Sequence, residues 1–144
     1  MKTAMGKAIT LAIAAAILAL CVGRADAAAA AEKPMVRIAE LEIDPAQLDA
    51  YKALLAEEQE ASVRLEPGVI MLHSVAIADE PTRIHLLEVY ASRAAYEAHI
   101  KAPHFVHYKL STEKMVRSLR LIETEPILLC AKSKGLAGGP VACF

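Results

Sequence analysis

The residues of this chain with chemistry to offer are its five histidines and one carboxylate set in an apolar strand. Three of the histidines and that carboxylate fall within Ile84 to Phe105, I-H-L-L-E-V-Y-A-S-R-A-A-Y-E-A-H-I-K-A-P-H-F. The first part alternates as a strand does, with Ile84, Leu86, Glu88 and Tyr90 on one face and His85, Leu87 and Val89 on the other. Glu88 therefore sits in an apolar row, where a carboxylate must be protonated or partnered because an unpaired buried charge is costly. His99, on the following element, is the nearest candidate partner. A Glu and His pair at an apolar cavity can act as a base. Taking a proton from a hydroquinone would leave an electron-rich anion able to react directly with oxygen, without metal or cofactor. The same pair could instead serve only to tie strand to helix, since structural ion pairs also perturb pKa values.

The remaining candidates rank below these two. His104 follows Pro103 at a helix start, where a cavity role and an ordinary helix-terminus role are both open. His73, in the neighbouring strand, could line the cavity or meet a partner chain. Tyr90 and Phe105 read as cavity wall, and His85 and His107 as outward or capping residues. No H-E-x-x-H or comparable ligand spacing occurs, so no metal is expected, and there is no Walker-type loop, G-x-G-x-x-G or G-x-S-x-G.

These residues need elements to hold them. Met35 to Ile43 reads as a first strand, and Asp44-Pro45 supplies an N-cap followed by a first-turn proline. A long helix follows, with Leu48, Tyr51, Leu54, Leu55, Glu58, Ala61, Ser62 and Leu65 on one stripe. Glu66-Pro67-Gly68 stops it. Val69 to Ile77 is a second strand, expected to put Ile70 and Leu72 on one side and Val69, Met71, Val75 and Ile77 on the other. Asp79-Glu80-Pro81 turns the chain into a third strand, Ile84 to Tyr90. Ser92 then caps a short helix carrying Ala95, Tyr96 and His99, Pro103 opens another, and Val116 to Leu129 reads as the fourth strand.

The ends of the chain set its compartment. Lys2 and Lys7 precede an apolar run from Ile9 to Val22, and Ala25-Asp26-Ala27 has the small-x-small form of a signal-peptidase site, so residues 1–27 read as a secretory signal. The run is shorter than the roughly 20 apolar residues that span a bilayer. A lipoprotein reading at Cys21 is weaker, because Leu20 stands where a small residue is wanted. Residues 28–33 read as a linker, 34–130 as the domain and 131–144 as a glycine-rich tail. Removing Lys2, Lys7, Arg24 and Asp26 leaves 13 basic and 16 acidic residues, a balance that gives no support for nucleic-acid binding. With the leader gone, Cys130 and Cys143 are the remaining cysteines, and a periplasmic or secreted protein would pair them, at a gain of about 3 kcal/mol. Two free thiols are the alternative.

The order strand, helix, strand, strand, helix, strand predicts an α+β fold, a ferredoxin-like split βαβ unit with a four-stranded antiparallel sheet covered by helices on one face. Strands apolar on both sides require the second face to be covered too, and a second copy of the chain would do so, giving a homodimer. On Glu66-Pro67-Gly68, the L-L-E-V-Y run at Leu86 to Tyr90 and A-A-Y-E-A-H-I-K-A-P-H-F at Ala94 to Phe105, the chain resembles the antibiotic biosynthesis monooxygenase family across about Pro34 to Leu129. The resemblance implies a dimeric α+β barrel. It also implies an activity drawn from cofactor-free quinol and polyketide oxygenation, haem degradation or small-molecule isomerisation. Haem-degrading members resemble one another in an Asn, a Trp and a His around the porphyrin, and this chain has neither Asn nor Trp. The expectation is thus an exported, cofactor-independent monooxygenase of a small aromatic or quinol-like molecule, with no integral membrane segment after the leader. The alternative is a non-catalytic small-molecule-binding or stress-related module of the same fold.

Overall fold

The computed structural model describes residues 33–132 and 141–143. The leader, nearly all of the linker and most of the tail lie outside the described residues.

Among the described residues, six strands and three α-helices follow one another as β1 (Met35–Ile43), α1 (Leu48–Leu65), β2 (Val69–Ile77), β3 (Glu80–Tyr90), α2 (Arg93–His99), α3 (Pro103–Thr112), β4 (Val116–Thr124), β5 (Cys130–Lys132) and β6 (Val141–Cys143). The first four strands form one antiparallel sheet in the order β2-β3-β1-β4, the arrangement of a ferredoxin-like split βαβ unit. β5 and β6 pair only with each other among the described residues.

Local chemistry explains the boundaries. Asp44 accepts the Ala46 N–H at 2.8 Å and Pro45 follows it, but these residues open a single 3₁₀ turn, Pro45–Gln47, and α1 proper begins at Leu48. Glu66 ends α1 in an extended conformation because the residue before a proline is pushed out of the helical region. Gly68 then has to be glycine: a Cβ there would stand 2.5 Å from the Cβ of Ala95 on α2. Ser92 Oγ accepts the Ala95 N–H at 3.1 Å and caps α2. The fourth strand was expected to reach Leu129, yet it ends at Thr124, just before Glu125-Pro126, where proline can offer no ladder donor.

The apolar core lies between one face of the sheet and the helices. Ala39, Leu41 and Ile43 of β1 and Ile84 and Leu86 of β3 pack against Tyr51 and Leu55 of α1 and Tyr108 of α3. A second cluster, Met35, Val69 and Tyr90, closes the end nearest α2, with Tyr96 against it. The β2 register corrects the expected division of its side chains. Val69 lies opposite Tyr90 and Met71 opposite Val89, so one extra residue, Ile70, is accommodated between them. That shift puts Val69 on the helix side, where it is buried, and leaves Met71, His73 and Val75 on the face without helices.

Candidate active site

A cavity of about 300 Å³ lies between the helix-facing side of the sheet and the three helices. Tyr90, Tyr96, His99, Phe105 and Tyr108 supply its aromatic wall, and leucines from all four strands of the main sheet and from α1 supply much of its aliphatic lining. Tyr90 and Tyr96 meet edge to face, and the rings beyond them are tilted, with Tyr90 and His99 5.2 Å apart between centroids and His99 and Phe105 4.6 Å apart. Leu119 and Leu121 of β4 line the cavity while remaining about half exposed, so it opens along that edge strand.

Its polar groups converge on His99, whose side chain is almost fully buried. Nδ1 lies 3.0 Å from Glu66 Oε1, and Nε2 lies 3.8 Å from Glu58 Oε1. The same Glu66 oxygen is 2.6 Å from His104 Nε2. Ser62 Oγ donates to Glu58 Oε1 at 2.6 Å, four residues along α1. Burial pushes the Glu58 carboxyl above its ordinary range, although Ser62 and His99 pull the other way. Burial would raise Glu66 as well, but its hydrogen bonds with His99 and His104 outweigh that and hold it below the usual carboxylate range.

Glu88 faces the same cavity, as its place in the Leu86, Glu88, Tyr90 row requires. Its hydrogen bond is with Tyr90 Oη, which donates to Oε2 at 3.2 Å. Burial pushes Glu88 upward, opposed by that bond and by the nearby His99 and Arg37. Arg37 stands directly across the β1–β3 ladder from Glu88 and is buried. Its Nη2 is 3.0 Å from Glu123 Oε1, its guanidinium lies 4.2 Å above the Tyr96 ring, and its Nε has no partner among the described residues. At the far end Tyr51 and Tyr108 share a 2.6 Å hydrogen bond, and burial pushes Tyr51 up to about 12.

The structure thus brings His99, Glu88, Tyr90 and Phe105 to one cavity, but His99 and Glu88 do not pair with each other as expected. His99 sits at the C-terminal end of α2, within reach of the end of α1, so its partners are Glu66 and Glu58. His104 does not reach the cavity wall; it stands behind Glu66. His73 pairs in register with Leu87, so strand alternation carries it to the helix-free face, exposed and away from the cavity. Sequence reasoning missed Glu58, Glu66, Arg37, Tyr96 and Tyr108 as site residues. A signal was present for Glu58, a carboxylate within an apolar helical stripe with a serine four residues on. Cys130 and Cys143 face each other across the β5–β6 ladder and are joined as a disulfide.

Glu58, His99 and His104 each offer a ligand atom, and these atoms lie within 4.8 Å of one another, close enough to suggest a metal. The hydrogen bonds weigh against it. An ionised Glu66 oxygen only accepts, so His99 Nδ1 and His104 Nε2, which are turned toward it, carry hydrogen, and His99 Nε2, on the Glu58 side, is the nitrogen of the two His99 ring atoms left with a lone pair.

A split βαβ sheet under three helices, enclosing an apolar cavity with a histidine between carboxyl groups, defines a class of small α+β domain built around one acid–base pocket. Residues 34–109 match the family model for antibiotic biosynthesis monooxygenase, and the chain belongs to that family. It is similar to the solved structure of a protein from Bacteroides thetaiotaomicron named for the same family, with 48% identity and a TM-score of 0.66 over 67% of this chain and 92% of that one. A Lactobacillus acidophilus protein carrying the monooxygenase name is 28% identical, with a TM-score of 0.63 over 64% of this chain and 44% of that one. A Nitrosomonas europaea protein of the family shares the fold at 23% identity, with a TM-score of 0.63 over 67% and 92%. None of the curated proteins matches the chain. Among the described residues no helix is long and apolar enough to cross a membrane.

Proposed function

We propose that this protein is a cofactor-independent monooxygenase of a small aromatic, quinol-like substrate, acting outside the cytoplasm as a homodimer. One observation carries the reading: a largely apolar cavity of about 300 Å³ has a buried histidine on its wall with two carboxyl groups beside it, Glu58 buried and Glu88 half-buried. The volume suits one or two aromatic rings, and the aromatic wall suits their faces. His99 takes the proton from a substrate hydroxyl, leaving an oxyanion whose ring can give electrons to oxygen. Glu88, which burial keeps protonated to higher pH than usual, is placed as an acid or hydrogen-bond donor in the same pocket. For a hydroquinone the balance closes without a further reductant: hydroquinone and O₂ give a hydroxyquinone and water. The substrate supplies all the electrons, one oxygen atom enters it and the other leaves as water.

Oxygen uptake with a panel of hydroquinones tests this, comparing the wild type with His99→Ala and following product mass. Loss of general-base assistance should slow turnover roughly 100- to 10,000-fold. Equal rates would remove His99 from the chemistry. Saturable binding with no oxygen uptake by the wild type would establish the binding module instead. Export rests on the leader at residues 1–27, and a mature protein recovered from the periplasm or medium lacking those residues is the expected result.

A further inference from the structure

His99 has two ring nitrogens, and the one that faces the cavity is decided behind it. Glu66 is the last residue of the α1 turn sequence, and Pro67 holds it extended at φ −104° and ψ 107°. Its Oε1 meets His99 Nδ1, at the end of α2, at 3.0 Å and His104 Nε2, at the start of α3, at 2.6 Å. One carboxylate oxygen therefore joins the ends of three helices. The group is an anion at neutral pH, because its two hydrogen bonds outweigh the effect of burial. An anionic oxygen can only accept, so both nitrogens must present N–H. Hydrogen on Nδ1 of a neutral His99 leaves Nε2 bare, and Nε2 is the nitrogen on the Glu58 side, 3.8 Å from its Oε1.

The geometry points to Glu66 as a positioning residue: it fixes His99 in the Nδ1–H tautomer so that Nε2 is the proton acceptor in the cavity, and His104 holds Glu66 in place for that task. This rests on the reading of His99 as the base and names how that base is set. In the step it serves, the substrate O–H bond breaks, an Nε2–H bond forms, and the electron pair stays on the substrate oxygen. The imidazolium charge then lies against the Glu66 carboxylate, the arrangement by which a buried acid supports a histidine in hydrolytic triads.

Nitrogen NMR of the mature chain with ¹⁵N-labelled histidine, at mildly alkaline pH, reads the tautomer directly. The expected wild-type signal for His99 has a protonated Nδ1 and a bare Nε2. Glu66→Leu removes the acceptor at similar bulk and should lose that single tautomer, whereas Glu66→Gln keeps an acceptor oxygen and should retain it. In turnover Glu66→Leu should lower kcat roughly 100-fold or more with little change in KM. A wild-type His99 with its hydrogen on Nε2, or a folded Glu66→Leu with an unchanged spectrum, overturns the assignment. If Glu66→Leu does not fold, the wild-type and Glu66→Gln spectra decide it. Because the spectrum needs no substrate, a fixed Nδ1–H tautomer in a chain that takes up no oxygen would sink the oxygenase reading while leaving the role of Glu66 intact.

Discussion

Three buried or half-buried carboxyl groups surround His99 and respond to pH in opposite senses. Burial raises Glu58 and Glu88, so between the ordinary carboxyl range and their raised values the folded chain binds more protons than the unfolded one. Stability therefore falls as pH rises through that window. Glu66 is held low, so its contribution is present above the ordinary range and is lost as pH falls through its lowered value. Glu58→Gln should remove part of the first effect: its melting temperature should fall less than the wild type's as pH rises above the ordinary carboxyl range. An identical slope for both proteins in thermal melts would show that Glu58 is not a neutral acid in the fold. The substitution should cost turnover if it disturbs Nε2 of His99, a trade of function for stability that active sites commonly show. At this scale the sequence was legible where one strand's alternation decides the matter, as for Glu88 and Tyr90. It was not legible where the contact joins residues far apart in the chain. Glu66 read as part of a helix stop and of the family pattern but not as a site residue, because nothing in Glu-Pro-Gly announces that its side chain will meet His99 and His104.

The elements themselves were largely legible, since each is bounded by residues whose local chemistry admits few alternatives. Ser92 and Pro103 start their helices where expected. Ser92→Ala should cost about 1 kcal/mol by removing the cap of the helix that carries His99. Gly68→Ala should cost more, roughly 1 to 3 kcal/mol, because its new methyl group would collide with Ala95 and push α2 off the end of β2. Chemical denaturation of both variants checks the order, and a Gly68→Ala protein as stable as the wild type would mean that α2 shifts freely. The bulge at Ile70 escaped the sequence reading because alternation assumes unbroken pairing, and an inserted residue reverses the faces of everything before it. The β5–β6 pair makes a different kind of prediction. The Cys130–Cys143 bond closes a short loop within a two-stranded sheet that, among the described residues, is not hydrogen-bonded to the main one, so its stabilisation of about 3 kcal/mol should act on that hairpin. Intact mass without reductant should be two hydrogens below the dithiol, and Cys143→Ser should leave the main thermal transition nearly unchanged. A large fall in that transition would show that the hairpin supports the domain.

In the molecule as a whole, one face of the main sheet has no helix over it among the described residues, and the side chains on that face bear on how the protein exists in solution. Ile38 of β1, Leu87 of β3, Ile122 of β4 and Met71 of β2 are half-buried there, and Val75 is 62% exposed. At one end of the face Glu40 and Arg120 form a 3.2 Å ion pair, a polar border to an apolar patch. Leaving such side chains in water would forgo about 1.5 to 3 kcal/mol for each one that could be fully buried, a large share of the 5 to 15 kcal/mol by which domains are typically stable. A two-fold partner would cover the patch with the same residues used twice. The bulge corrects which β2 residues take part: Met71 and Val75 belong to this face, while Val69 is spent on the core. Sedimentation at micromolar concentration should give twice the mature chain mass, and Met71→Asp or Leu87→Asp should give monomer or aggregate, because each would bury an unpaired carboxylate twice in one interface. Val69→Asp should instead unfold the chain, since that side chain is 6% exposed between Met35 and Tyr90. A soluble, stable wild-type monomer would show that the face is covered in another way, and the contrast between Met71 and Val69 would still report whether the bulge sets the two faces as described.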